Sequence, residues 1–190
     1  MPWPTRESEA RVRKTSLLDP KLDLVFRLLF GNPENKALLI SLLNAILRPP
    51  SPIESVTVLN PELEREDVED KGIVLDVRVV LADGRQIDVE MQSQPRPSRR
   101  ERALYYWARM YGAELGRGDD YRKLRPAVVI WIVSFNELEG ARFHSTFRIR
   151  EDHDGELFSP QFELHVIGLL KLKLALSRNE EPELARWVNS

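Results

Sequence analysis

The stretch from Ile73 to Gln92 constrains the chain most. Ile-Val-Leu-Asp-Val-Arg-Val-Val-Leu is followed by Ala82-Asp83-Gly84-Arg85 and then by Gln-Ile-Asp-Val-Glu-Met-Gln. Polar and apolar residues alternate on both arms, and Asp-Gly is a turn signal, so the stretch predicts a β-hairpin. Loop length decides which residues meet. A two-residue Asp83-Gly84 loop sets Asp76 opposite Met91 and mixes polar with apolar groups on both faces. A three-residue Ala82-Asp83-Gly84 loop, with Gly84 left-handed in a G1 bulge, sets Leu75 opposite Met91, Val77 opposite Val89 and Val79 opposite Ile87. That face is wholly apolar. The other face pairs Val74 with Gln92, Asp76 with Glu90, Arg78 with Asp88 and Val80 with Gln86. A one-residue slip would turn every side chain to the wrong face, so burial selects the second register.

In this register Asp76 and Glu90 are direct cross-strand neighbours, with Cβ atoms about 5 Å apart, and like charges so placed repel. A shared proton, a basic neighbour or a divalent cation would offset the repulsion. Gln92 lies on the same face, two residues beyond Glu90. The plainer alternative is that both acids are ordinary solvent-facing residues and that Arg78–Asp88 is an exposed ion pair worth little.

With 190 residues the chain is long enough to bury one sizeable core. Residues 1–18 are expected as a flexible N-terminal segment and residues 19–190 as the folded domain. The absence of cysteine excludes disulfides and thiolate metal sites, and His144, His153 and His165 lack zinc-ligand spacing. No apolar run approaches the ~20 residues of a membrane span, and the polar start Met-Pro-Trp-Pro-Thr-Arg-Glu is unlike a signal peptide. A cytoplasmic protein with no membrane partner is expected. Net charge is −2, yet residues 96–125 hold nine basic and four acidic residues, so this segment is +5 and the remainder −7. The basic excess directly follows the acidic hairpin and points to an anionic partner there, unless it is a solvated helix face.

Leu22, Val25, Phe26 and Leu29 share one helix face, ended by Gly31. A second helix is expected from Asn32-Pro33 to Leu47, with Leu38, Leu39, Leu42, Leu43 and Ile46 inward and Pro49-Pro50 as its stop. Residues 53–59 read as a strand, and residues 60–71 as an acidic loop. Ser98-Arg-Arg-Glu101 is a capping-box pattern that opens a helix to about Leu115. Ala127 to Phe135 is apolar on both faces, as in a strand covered by helices on both sides. Two further strands, Phe143–Arg150 and Gln161–Ile167, precede an ambiguous stretch from Leu169 to Leu176 and a terminal helix from Glu181 to Val188. The order predicts a mixed α/β fold, a central mixed sheet flanked by helices.

An Asp, thirteen intervening residues and then Glu-Met-Gln on a hairpin resemble the PD-(D/E)XK nuclease superfamily. The closer likeness is to its Rpn group, the recombination-promoting nucleases often labelled transposases. The matching stretches are Leu22-Asp-Leu-Val-Phe-Arg-Leu-Leu-Phe-Gly31, Leu42-Leu-Asn-Ala-Ile-Leu47, Leu75-Asp-Val, Asp83-Gly84, Val89-Glu-Met-Gln92, Arg102 with Tyr105, and Tyr121 followed by Leu124-Arg-Pro126. The resemblance implies a restriction-endonuclease-like fold and a metal-dependent DNA endonuclease acting in DNA recombination. By it, Asp76 and Glu90 would hold Mg²⁺ or Mn²⁺, with the Met91 backbone carbonyl and Asp23 as further oxygen ligands. The metal would activate a water for attack on a phosphodiester. Gln92, in place of the superfamily's lysine and as in the Rpn group, would orient a water or phosphate oxygen without supplying a charge. Arg99, Arg102, Tyr105 and Arg109 would contact nucleic acid. Asp23 reads equally as a helix-surface charge, and the aromatics of this helix equally as core. Self-assembly stays open. So do two other readings: a catalytically inactive nuclease fold that binds nucleic acid, and a protein-interaction module.

Overall fold

The computed structural model describes residues 26, 28–59, 62–63, 73–74 and 77–189. Its centre is a six-stranded mixed sheet in the order β1-β4-β5-β6-β8-β7. The strands are β1 (Val56–Val58), β4 (Val77–Leu81), β5 (Gln86–Gln92), β6 (Ala127–Val133), β7 (His144–Arg150) and β8 (Leu157–Gly168). β2 (Glu62–Leu63) and β3 (Ile73–Val74) form a separate antiparallel pair. β5, β6 and β8 run parallel, and antiparallel partners flank them on both sides.

The β4–β5 hairpin has the register that burial demanded: Val77 faces Val89, Arg78 faces Asp88, Val79 faces Ile87 and Val80 faces Gln86. Leu81 N–H donates to Arg85 O at 2.9 Å, Gly84 N–H donates to Leu81 O at 3.0 Å, and Gly84 has φ +86°. This is the bulged three-residue loop, and its left-handed position suits a residue without Cβ. The expected pairing of Val74 with Gln92 is not seen. Val74 pairs with Glu62 instead, so the first arm is divided between β3 and β4. Leu75 and Asp76 fall between them, outside the described residues.

Each face of the sheet carries a core. One holds Val77, Val79, Ile87, Val89, Ile130 and Ile132 against α1 (Lys36–Leu47) and the C-terminal helices α3 (Leu172–Ser177) and α4 (Pro182–Asn189). The other packs Val129, Trp131, Val133 and Val166 under Ala103 and Met110 of α2 (Arg99–Gly112). β6 is buried along its whole length, as its two-sided apolarity requires.

Local expectations were corrected in three places. Leu38 of α1 is 38% exposed, because the inward stripe is carried by Leu39, Leu42, Leu43 and Ile46. The capping box does not form. Ser98 has φ +52° and its side chain makes no cap bond, whereas a capping hydroxyl needs an extended backbone to reach the first turn. α2 ends at Gly112, with Ala113 as its cap. The Leu169–Leu176 stretch, open between an amphipathic strand and a helix start, takes the second form: a 3₁₀ turn leading into α3. α1 is capped by Arg48 in the left-handed region (φ +45°), and the Asn44 amide holds both Ile53 N–H (2.8 Å) and Ile53 O (2.9 Å), which fixes the approach to β1.

Candidate active site

Period-two alternation divides β5 between the cores. Ile87, Val89 and Met91 enter the core beneath α1, and Gln86, Asp88, Glu90 and Gln92 face the α2 side. Antiparallel strands would leave such a polar row exposed on one face. Here most of the row is inside: Gln86 is 6%, Asp88 0% and Glu90 5% exposed.

A buried carboxylate is costly unless hydrogen bonds compensate it. Glu90 Oε2 receives two: from Gln92 Nε2 at 3.0 Å and from the indole Nε1 of Trp131 at 3.1 Å. Trp131 is 1% exposed and stands in register beside Glu90 on the parallel strand β6. Gln92 Oε1 is buried and has no hydrogen-bond partner.

A second polar group adjoins it on the same face. Arg78 donates to the Gln86 amide oxygen through Nε (3.2 Å) and through Nη2, and Gln86 Nε2 donates to Glu114 Oε1 at 2.6 Å. Arg125 N–H closes the chain on Glu114 Oε2 at 2.8 Å. Burial pulls the Arg78 guanidinium below its ordinary pKa, against the opposing pull of Asp88 and Glu114. Arg78–Asp88 is therefore no surface ion pair: Asp88 lies wholly inside.

The basic segment is less available than its composition implied. Glu137, 6% exposed, binds both Arg99 and Arg100, with Arg100 Nε at 2.6 Å and Arg100 Nη2 donating to the Glu137 carbonyl at 2.9 Å. Arg99 also lies over the Phe135 ring at 5.6 Å. Arg102 donates to Tyr106 Oη at 2.8 Å. In the following loop Arg122 pairs with Asp120, and Lys123 with Asp119 at 2.5 Å. Tyr105 is 42% exposed, Arg109 is half-buried, and Trp107 and Tyr111 pack against the α2-side core.

Asp23 and Asp76 lie outside the described residues. Met91 directs its side chain into the opposite core. Among the described residues no three histidines or acids group to hold a metal, and no helix is long and apolar enough to cross a membrane. The donor chemistry present nonetheless fits a hard divalent cation: a carboxylate beside an amide oxygen that is buried without a hydrogen-bond partner, with no sulfur or imidazole. Sequence reasoning missed Trp131, Gln86, Glu114 and Glu137. Trp131 had one available signal, an indole N–H inside an otherwise aliphatic strand.

A six-stranded mixed sheet with helices on both faces and buried carboxylates on β5 is an α/β architecture consistent with a PD-(D/E)XK nuclease fold. The family model described as PD-(D/E)XK nuclease family transposase matches residues 20–190, and the chain belongs to that family. Comparison with curated proteins and with solved structures returned no match.

Proposed function

We propose that the chain is a metal-dependent DNA endonuclease that hydrolyses phosphodiester bonds. The supporting observation is the Glu90–Gln92 pair, a buried carboxylate and an unpartnered amide oxygen on one sheet face, in a member of a nuclease family. In this reading Glu90 and Asp76 hold Mg²⁺ or Mn²⁺, with the Met91 carbonyl and Asp23 as further oxygen donors. The bound cation supplies Lewis acidity and an activated water. Glu90 contributes the fixed negative charge. Gln92, held by its bond to Glu90, presents an acceptor that orients a water proton. Buried aliphatic neighbours exclude bulk water and strengthen both interactions.

On the α2 side, Arg102 and Tyr105 are the groups assigned to phosphate and base. Arg99 is assigned a supporting part, since Glu137 already engages it. Arg109 stays with the DNA-contacting set.

The test is plasmid nicking with Mg²⁺ or Mn²⁺ and with EDTA. Glu90→Ala and Asp76→Ala should each lower the rate by at least a hundredfold with unchanged circular dichroism. Undiminished cutting by either variant would sink the assignment. Salt-sensitive DNA binding without cleavage under any divalent metal would instead leave a nucleic-acid-binding module.

A further inference from the structure

We infer that Trp131 is a positioning residue for the Glu90–Gln92 pair, an inference that rests on the nuclease reading above. Its indole N–H fixes the carboxylate, and through it the amide, in the orientation that offers oxygen to a divalent cation.

β6 reads Ala-Val-Val-Ile-Trp-Ile-Val, and every other position in it is filled by an aliphatic residue. An aliphatic side chain would pack at 131 and require no partner. Tryptophan brings one donor, which needs an acceptor when buried. The acceptor is Glu90 Oε2, at 3.1 Å across 41 residues of sequence. Parallel register makes this contact direct, because Glu90 and Trp131 are paired neighbours and point to the same face. Trp131 is 1% exposed and belongs to the same close-packed cluster as Ala103, Met110, Val129 and Val133, which leaves the ring little room to follow the carboxylate if it turns.

The second donor to that oxygen then sets Gln92. With its nitrogen 3.0 Å from Glu90 Oε2, the amide cannot flip without placing oxygen against oxygen. Its own oxygen is thereby turned away, where no hydrogen bond meets it. Trp131 thus orders two side chains through one bond.

The experiment uses the full chain with 3-benzothienylalanine at position 131, which keeps the bicyclic shape and replaces the N–H donor by a sulfur that cannot donate. Trp131→Phe serves as a second variant. Mn²⁺ affinity, read by calorimetry, should weaken about tenfold in both, the usual scale for a partner that orients a metal ligand. In nicking assays kcat should fall with KM for plasmid unchanged. Independently of metal, the Trp131 indole proton should resonate downfield in the wild type and move upfield in Glu90→Ala. Wild-type protein that binds Mn²⁺, with variants that bind it equally well, overturns the positioning role and leaves the nuclease reading standing. An indole resonance unmoved by Glu90→Ala overturns it too. Wild-type protein that binds no Mn²⁺ overturns the nuclease reading and this role together.

Discussion

At the scale of single residues, the side of the sheet away from Glu90 carries its own buried polar chain. His144 Nε2 and His165 Nδ1 are 2.7 Å apart, and His165 Nε2 meets Glu163 Oε1 at 2.6 Å. Glu181 lies 3.5 Å from His144 Nδ1 and is ion-paired with Arg48. Burial, then the nearby His165 and Arg48, lowers the His144 pKa from 6.5 to about 4. The folded protein therefore keeps His144 neutral at a pH where the unfolded chain would protonate it. Its contribution to stability is complete above pH 6.5 and is lost as pH falls toward 4. Between pH 7 and pH 5 the loss should be about 2 kcal/mol in urea denaturation, and His144→Gln should remove more than half of that difference. An unchanged pH dependence would assign the effect to other groups. Burial pushes the Glu163 carboxyl up, but His165 and Arg148 outweigh it and hold it below 4.5. Its contribution is lost only at still lower pH, outside this window.

At the scale of elements, the β4–β5 hairpin sets the register that sends Glu90 and Gln92 to the α2 side. Gly84 is the position where the turn demands a left-handed backbone, and a Cβ there would meet Arg125 Cγ at 3.0 Å. Gly84→Ala should destabilise the protein by about 1–2 kcal/mol, seen as a lower urea midpoint with unchanged slope. A midpoint equal to wild type would show that the loop relaxes at no cost. α2 shows the limit of reading one element by itself. Its Ser98–Glu101 pattern was a proper start signal, yet the start is held by Arg99 and Arg100 on buried Glu137. The cap residue's own backbone conformation, which no local pattern reports, decided the difference.

At the scale of the whole molecule, the core beneath α1 is completed only by the end of the chain. Leu184 and Ala185 of α4 are buried in it, Trp187 lies 6.0 Å from Phe30, and Trp187 Nε1 donates to Ser41 Oγ at 3.1 Å across 146 residues. Leu184→Ala should cost about 2–5 kcal/mol, because rigid neighbours in a two-sided core fill the void only in part. Chemical denaturation measures it, and a loss under 1 kcal/mol would mean that α4 is peripheral. The same architecture separates the two polar groups: His144 and His165 sit with α4 on one side, Glu90 and Trp131 with α2 on the other.

The sequence by itself determined the hairpin register and the central strand. Both follow from burial acting on a period of two: one register of residues 77–89 leaves an all-apolar face, and a strand apolar on both faces must lie between two layers. Glu90 and Gln92 were legible as a pair for the same reason. Only the tertiary structure decided what surrounds them. Trp131 reaches Glu90 over 41 residues, Glu114 reaches Gln86 over 28, and Glu137 reaches Arg100 over 37. Those meetings depend on the parallel alignment of β5 with β6 and on the placement of α2. Neither leaves a periodic trace in the chain, because a side chain's hydrogen-bond partner is chosen by proximity after packing rather than by spacing along the strand.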